Sequence, residues 1–203
     1  SNATLSLAAN RYPLDAYLCF ICNHLQLKNQ VDPSFSYNNY IYNSSVTLGL
    51  DANFVSYANS IKSFLPHSSK LDLLDIGSND GSFLFSCQSS NLNAFGIEPA
   101  QRLSRFANKR NCKTINSYFD STVIPLLSST FGKSSFDVIS FNNVLANMKD
   151  PLSSLILAKS LLKDKQSIIS IQTGYHPLQF TKGLFDYTYH EHYSYFSLSS
   201  LLY

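Results

Sequence analysis

The chain has 203 residues, a length typical of one globular domain with a small appendage. Its formal net charge is +2 and it has no run of Lys or Arg, which argues against nucleic-acid binding as its main function. No apolar stretch approaches the length of a membrane span and no signal peptide is visible, so we expect a cytoplasmic protein without a membrane segment.

The first part of the chain, residues 4–50, is predicted to be a small irregular N-terminal module, because its Tyr-rich sequence shows no sustained helical period. The pair Cys19 and Cys22 in this module is half of a tetrahedral zinc site or a redox couple. Cys87 and Cys112 are too remote in the predicted fold to complete a zinc site, and we interpret both as small buried residues. A cysteine pair without partners is an equally good interpretation.

From residue 51 the sequence alternates between strand and helix patterns. The predicted order is helix 52–65, a strand opening at residue 70, helix 82–90, strand 94–97, helix 100–109, strand 113–115, helix 121–127, strand 136–141, helix 151–162 and strand 167–172. Residues 128–135 are interpreted as a surface loop. Alternating strands and helices predict a Rossmann-like α/β domain over residues 51–203, a parallel sheet with helices on both faces.

The turn after the first of these strands is the most informative stretch. Residues 73–76 form an apolar run of the kind buried in a parallel sheet, and Gly77 and Gly81 remove side chains where a ligand must approach the backbone. Glu98 lies 21 positions after Gly77. Such folds place there the acid that binds the ribose hydroxyls of an adenosine cofactor.

The turn is not G-x-G-x-x-G, and Asp75 and Asp80 put negative charge where a pyrophosphate would lie. A cationic cofactor without phosphates suits these carboxylates better, and S-adenosylmethionine, a sulfonium with an ammonium group, is the candidate. Ser78 and Asn79 complete the predicted cofactor turn. A Gly-Ser-Asn-Asp-Gly cluster is also typical of a plain tight turn, which is the alternative interpretation.

Residues 187–196 concentrate two histidines, one glutamate and several tyrosines after the last predicted strand, where a Rossmann sheet opens its substrate crevice. On an extended segment His190 and His192 would share a face, with Glu191 on the other. The pattern is not H-E-x-x-H, which excludes a metalloprotease motif. A histidine beside a carboxylate and phenols suits a general base, and an aromatic-rich loop with solvated histidines is the alternative.

Four blocks of the chain, in the same order, resemble the sugar C-methyltransferases. They are YPLDAYLC at 12–19 with its continuation to residue 45, DIGSNDG at 75–81, GIEPA at 96–100 with NNVLA at 142–146, and YHEHYSYF at 189–196. Members of that family methylate a carbon of a nucleotide-linked keto-deoxysugar, so the resemblance implies a small-molecule substrate of this kind.

The resemblance implies class I S-adenosylmethionine chemistry, with S-adenosylhomocysteine as the product. A base removes the proton next to the ketone, and the resulting enolate attacks the methyl group of the sulfonium. Carried over by position, His192 is the base and Tyr189, Glu191 and Tyr42 lie beside it. The resemblance also extends the cofactor site to Pro99, Asn142 and Asn143.

Three departures from the family pattern leave alternatives open. Asn147 stands where the family usually has a catalytic-site histidine, and its amide cannot shuttle a proton at neutral pH. The earlier cysteine pair of the family's zinc site is absent, and the family continues beyond the Tyr-His-Glu-His block. A fragment, a natural short form and a decayed relative all fit. The alternative functions are an inactive cofactor-binding or interaction domain and a small-molecule O-methyltransferase, and the sequence predicts no particular oligomeric state.

Overall fold

The computed structural model describes residues 12–33, 49–65 and 70–203, and it confirms the predicted α/β class. The strands are β1 Ala16–Leu18, β2 Leu25–Leu27, β3 Leu71–Ile76, β4 Leu92–Ile97, β5 Thr114–Ile115, β6 Val138–Asn142, β7 Ile168–Gln172 and β8 Ser194–Tyr195. The α-helices are α1 Leu50–Ser63, α2 Ser82–Ser89, α3 Gln101–Lys109, α4 Val123–Leu126, α5 Pro151–Ser160, α6 His176–Thr181 and α7 Leu198–Leu202. Within these residues no helix combines the length and the apolar character needed to cross a bilayer.

The main sheet has five parallel strands in the order β5-β4-β3-β6-β7. The chain runs outward from β3 to β4 and β5, and then returns to place β6 and β7 on the other side of β3. This reversal leaves a crevice at the carboxyl ends of β3 and β6, where α/β sheets bind their ligands. The topology therefore places the predicted cofactor turn at the ligand-binding edge of the sheet.

Two apolar layers cover the two faces of this sheet, as the predicted helices on both faces require. On β3 the alternation of side chains sends Leu71 and Leu73 towards α1, α2 and α3, and sends Leu74 and Ile76 to the layer that includes α4 and α5. Asp75 continues the row of Leu71 and Leu73, so its carboxyl group ends an otherwise apolar stripe on the α1 side.

The N-terminal module is more regular than predicted. Over residues 16–27 the structure forms a β-hairpin of β1 and β2, and β2 pairs with β8 to give a separate antiparallel sheet in the order β1-β2-β8. The prediction of an irregular segment is wrong here because β2 finds its partner far along the chain, and local periodicity carries no sign of such a pairing. The division into domains at residues 4–50 and 51–203 stays a prediction.

The segment that follows α4 also differs from the prediction. The sequence predicts a surface loop over residues 128–135, but the chain continues as a π-helical turn, Leu127–Phe131, which ends at Gly132 with φ +65°. Leu127 is fully buried in the core, and Phe131 packs against Phe95 with ring centroids 4.8 Å apart. Burial of these side chains thus holds the helical turn in place.

Gly81, predicted to let a ligand approach, is also required by packing. Its φ of +81° is favourable for glycine, and a Cβ there would lie 2.8 Å from Cys112 Cβ and 2.9 Å from Ala107 Cβ. The absent side chain lets α2 begin directly against the segment that follows α3. Gly77 also has a positive φ, +72°, and a Cβ there would lie 2.7 Å from Val144 Cγ2, but Gly77 lies on the wall of the crevice as well.

We predict that Gly81→Ala destabilises the fold far more than Gly132→Ala. Both glycines have positive φ, but a Cβ at Gly132 would meet nothing within 4 Å. A left-handed alanine costs about 1–2 kcal/mol, and overpacking adds about 1–3 kcal/mol at Gly81 alone. Urea unfolding of both variants measures the difference, and equal losses of stability would contradict the packing argument.

Candidate active site

A cavity of about 1300 Å³ opens at the carboxyl ends of β3, β4, β6 and β7. Its wall combines the turn after β3, the end of β4, the segments after β6 and β7, one face of α1, and the loop that contains Tyr189 and His192. A second cavity of about 550 Å³ adjoins it and shares Gly77, Pro99 and Val144. The structure therefore brings the predicted cofactor turn and the predicted catalytic loop to one cavity.

Asp75 lies at the end of β3 and is only 1% exposed. Ser140, its register partner on β6, donates a hydrogen bond to Asp75 Oδ1 over 2.6 Å, and Asn142 Nδ2 lies 3.4 Å from the same oxygen. The pKa of Asp75 is raised to about 7. Burial is the main cause and the charge of Glu98 acts in the same direction, whereas the two hydrogen bonds lower the pKa. A cation in the cavity would favour the ionised form.

Glu98 follows β4 directly and is 3% exposed. The backbone N–H of Asn79 donates to Glu98 Oε2 over 2.9 Å, and that of Ala100 donates to Oε1 over 2.7 Å. Burial raises the pKa of Glu98 to about 7, although these N–H groups favour the carboxylate. Each oxygen keeps a further lone pair, so the carboxylate can accept hydrogen bonds from a pair of hydroxyl groups.

The predicted cofactor turn has two parts, one that lines the cavity and one that does not. Gly77, Ser78 and Asn79 line the cavity, and the N–H groups of Gly77 and Ser78 donate to the carbonyl of Ile97 over 2.8 and 3.0 Å. Asp80 is fully buried behind this wall, where its Oδ1 accepts from the N–H of Ser82 at the start of α2. Asp80 and Gly81 therefore support the turn from outside the lining, while their predicted contact with the cofactor stays a prediction.

The segment after β6 contributes amide groups to the wall. Asn142, Asn143 and Asn147 all line the main cavity, and Asn147 also lines the second one. The left-handed φ of Asn143, +52°, turns the chain out of β6, and its N–H donates to the carbonyl of Gln172 over 2.8 Å. Asn147 ends a 3₁₀ turn, Leu145–Asn147, and presents no group that titrates near neutral pH.

His192 and Tyr189 form a hydrogen-bonded pair in the cavity wall. The Tyr189 hydroxyl lies 2.9 Å from His192 Nε2, and His192 Nδ1 lies 2.9 Å from the carbonyl oxygen of Tyr187. Because a carbonyl only accepts, Nδ1 carries the proton of the neutral ring and Nε2 accepts from Tyr189. Burial lowers the pKa of His192 and raises that of Tyr189. The histidine is thus held neutral and ready to accept a proton.

The prediction that His190 and His192 share one face is wrong. Residues 189–192 form a tight turn closed by the His192 N–H on the Tyr189 carbonyl, not an extended segment. His190 leaves the cavity and its Nε2 lies 3.0 Å from the carbonyl of Tyr12, whereas Glu191 stays in the cavity wall beside His192. The His190 ring therefore ties the turn to the N-terminal segment.

Cys19 and Cys22 lie on the connection between β1 and β2. Backbone N–H groups of Cys22 and Ile21 and the thiol of Cys22 lower the pKa of Cys19. Among the described residues no group of three or more His, Cys, Asp or Glu side chains is arranged to hold a metal ion. Zinc at this pair stays a prediction, and Tyr42, the remaining predicted catalytic residue, lies outside the described residues.

Sequence reasoning missed the part of the wall that α1 and the segment after β7 provide. Tyr57 of α1 lines the cavity, and its hydroxyl lies 2.7 Å from Ser170 Oγ on β7. Burial is the main reason why its pKa rises to about 12. Gln172 and Gln179 line the same region. Only the amphipathic period of α1 was visible in the sequence, and it does not distinguish a core-facing tyrosine from a ligand-facing one.

The donor and acceptor set fits S-adenosylmethionine. Besides the two carboxylates, Ser78 Oγ and Asn142 Oδ1 are buried lining atoms that make no hydrogen bond within the described part of the chain. Buried polar atoms without partners are costly, and an ammonium or hydroxyl group would satisfy them. Asp75, Ser78, Glu98 and Asn142 are the residues that would hold such a cofactor.

Comparison with known proteins agrees with this geometry. The profile of one family, described as a methyltransferase domain, matches residues 52–202. The C-methyltransferase NovU from Streptomyces niveus is 24% identical over an alignment of 204 positions that covers 94% of this chain and 44% of NovU. The chain thus spans less than half the length of this curated relative.

Two solved structures share the fold. The plantazolicin methyltransferase BpumL, solved with S-adenosylhomocysteine, has a TM-score of 0.60 and 20% identity, covering 83% of this chain and 65% of BpumL. The sugar N-methyltransferase KedS8 from a Streptoalloteichus species has a TM-score of 0.50 and 15% identity, covering 62% of this chain and 49% of KedS8. Because the family match extends over most of the chain, the chain belongs to the methyltransferase-domain family.

Proposed function

We propose that this chain binds S-adenosylmethionine against Asp75 and Glu98 and methylates a carbon next to the ketone of a keto-deoxysugar. The observation that carries the proposal is the Tyr189–His192 pair, a base of fixed tautomer in the wall of the cavity that also contains both buried carboxylates. The likeness to NovU, a C-methyltransferase, supports methylation at carbon, and the resemblance of the four sequence blocks supports a sugar acceptor, which in the resembling family is linked to a nucleotide.

The cofactor, when bound, supplies a methyl group on a positively charged sulfur. Glu98 has free lone pairs for two ribose hydroxyls, and Asp75 with Asn142 Oδ1 and Ser78 Oγ accepts from an ammonium group. These contacts orient the cofactor from one end of the cavity, while Tyr189 and His192 act from the loop on the other side. Holding both reactants in one cavity supplies much of the rate enhancement through orientation alone.

Proton removal from the acceptor follows from the hydrogen-bond directions. The Tyr187 carbonyl keeps the proton of His192 on Nδ1, so Nε2 is the free base. Tyr189 donates its proton to Nε2 while its oxygen takes the proton next to the ketone, and the electron pair of that C–H bond forms the enolate. The bound cofactor would supply the methyl group that the enolate carbon accepts, with the electron pair of the methyl–sulfur bond left on sulfur, and His192 would keep the additional proton.

A hydroxyl acceptor is the second candidate, because the same pair would deprotonate an alcohol for O-methylation. A catalytically inactive domain is the third interpretation, and the amide of Asn147 in place of a titratable side chain favours it. Methylation products separate the candidates: a new carbon–methyl bond has a chemical shift distinct from that of a methyl ether, and an inactive domain yields neither.

Glu98→Ala should weaken binding of S-adenosylmethionine by about 1–3 kcal/mol, the value of a lost hydrogen bond to a charged group. Isothermal titration calorimetry measures the change. Asp164→Ala is the matched control, because this exposed carboxylate lies in the loop before β7 and outside the cavity lining. Unchanged affinity in Glu98→Ala, or tighter binding of NAD than of S-adenosylmethionine by the parent, would contradict the proposed cofactor site.

Cofactor affinity should rise with pH up to about neutrality. The pKa values of Asp75 and Glu98 are raised to about 7 in the protein alone, and a bound cation favours their ionised forms. Binding at about pH 6 should therefore release protons, and affinity is lost as the pH falls below the raised pKa values. Calorimetry in two buffers of different ionisation enthalpy counts the protons. Cofactor binding to Glu98→Gln should release fewer protons than binding to the parent. If binding to the parent releases no protons, the assignment of Asp75 and Glu98 to the cofactor site is contradicted.

His192→Ala should lower kcat by about a hundredfold or more, because general-base catalysis contributes about 10²–10⁴-fold. Tyr189→Phe should also lower kcat, whereas both variants should keep the cofactor affinity of the parent. The parent rate should fall as the pH drops through the lowered pKa of His192. Exchange of the acidic sugar proton with deuterated solvent tests the base directly. Exchange at the parent rate in His192→Ala would exclude His192 as the base.

A further inference from the structure

Tyr57 lies near the middle of α1, on the face of this helix that lines the main cavity. Its ring packs against that of Phe83 on α2, with the ring centroids 5.2 Å apart, and its hydroxyl lies 2.7 Å from Ser170 Oγ on β7. The phenol is therefore fixed by a ring contact and by a hydrogen bond. A side chain held in this way keeps its polar group at a constant position in the wall.

A row of polar side chains crosses the sheet on the side of α1. Asp75, Ser140 and Ser170 are register partners on β3, β6 and β7, and Ser140 donates to Asp75 Oδ1 over 2.6 Å. Register partners on parallel strands point to the same face, and neighbouring strands lie only about 4.8 Å apart. The Tyr57 hydroxyl, which is hydrogen-bonded to Ser170, thus lies at one end of this row and the Asp75 carboxyl group at the other.

Tyr57 keeps its proton at neutral pH. Burial is the main cause that raises its pKa to about 12, the charge of Asp75 acts in the same direction, and the hydrogen bond with Ser170 lowers the pKa. A hydroxyl both donates and accepts, so Ser170 can donate to the Tyr57 oxygen while Tyr57 donates its own proton to a ligand. At this point of the wall the protein therefore offers a neutral hydrogen-bond donor.

The methionine end of S-adenosylmethionine carries an ammonium and a carboxylate group on the same carbon. In the proposed function the ammonium group binds to Asp75, Ser78 and Asn142. The carboxylate then lies close to Asp75 but turned away from it, because two carboxylates repel each other. It needs a donor on the same side of the sheet, and a hydrogen bond from a hydroxyl to a carboxylate is stronger than one between neutral groups.

On the basis of the proposed function, we propose that the hydroxyl group of Tyr57 binds the carboxylate at the methionine end of the cofactor. Asp75 and Tyr57 then act as a pair, one for each charge of the zwitterion. Binding of both charges restricts rotation of the methionine chain about its bonds to sulfur. This restriction helps to orient the methyl group towards Tyr189 and His192.

The test compares S-adenosylhomocysteine with its decarboxylated analogue, which keeps the ammonium group and lacks the carboxylate. Isothermal titration calorimetry measures the affinity of both ligands for the parent and for Tyr57→Phe, which loses the hydroxyl and retains the ring that packs on Phe83. We expect this variant to bind S-adenosylhomocysteine about tenfold more weakly than the parent, as for a lost hydrogen bond to a charged group, and to bind the analogue as the parent does. Equal losses for the two ligands, or no loss for either, would overturn the inference.

An anchoring role of the hydroxyl has a different signature. If the hydroxyl only anchored α1 to β7, Ser170→Ala would remove the same hydrogen bond and reproduce the effect of Tyr57→Phe. We expect instead that Ser170→Ala keeps the preference for the ligand with the carboxylate, because the Tyr57 hydroxyl stays in the wall. Loss of this preference in Ser170→Ala would contradict direct binding by Tyr57. Tyr203→Phe, a change at an exposed tyrosine outside the cavity lining, is the matched control and should alter neither affinity.

Failure of the proposed function is distinguishable from failure of this inference. If the cofactor site itself is wrong, the parent does not bind S-adenosylhomocysteine, and the inference falls with it. If the parent binds both ligands with equal affinity, the proposed cofactor site stands and the role of Tyr57 is overturned. The ratio of the two affinities depends on the cofactor site alone, so it does not change if a sugar acceptor proves wrong.

Discussion

Burial of two carboxyl groups at the ends of neighbouring strands is the constraint on which the rest of the site depends. Asp75 and Glu98 lose water on folding, and the protein compensates with a serine on the neighbouring strand for one and two backbone N–H groups for the other. The two N–H groups that donate to Glu98 belong to the turn after β3 and to the segment leading to α3. The positions of this turn and of this segment therefore depend on Glu98. The two acids thereby shape the cavity wall as well as its charge.

The small antiparallel sheet has a comparable role for the catalytic loop. Strand β8 follows His192 directly, and it pairs with β2 of the N-terminal hairpin. Tyr193 adds two links, since its N–H donates to the Ala146 carbonyl over 2.7 Å and its hydroxyl donates to the Val31 carbonyl over 2.6 Å. The hairpin therefore fixes the loop against the segment after β6. A base on a loop is useful only if such contacts hold its position to within a fraction of an ångström.

Local patterns were enough to predict the main sheet and the acid that follows β4. Strand β3 and its glycine turn are visible because apolar runs and turn residues report on backbone conformation directly, and the spacing to Glu98 follows from one βαβ unit. The hairpin β1–β2 was missed because its partner β8 lies far away in sequence. The packing role of Gly81 was not predicted, because a glycine needed for packing against Cys112 has the same sequence signature as one needed for a ligand. The turn at His190 was not predicted for a related reason, because its hydrogen bond joins His190 to Tyr12, which lies far away in sequence.

The negative charge of the carboxyl groups in the cavity wall also affects how methyl transfer can be accelerated. The positive charge on sulfur disappears as the methyl group leaves, so a carboxylate beside the sulfur would stabilise the ground state more than the transition state and slow the reaction. Ammonium and ribose hydroxyl groups do not change charge during transfer. Carboxylates that bind these groups contribute affinity without raising the barrier, and Asp75 and Glu98, at the ends of their strands, are assigned to them. In the proposed function, binding and chemistry are thus carried by different parts of the wall, the first by the strand ends and the second by Tyr189 and His192.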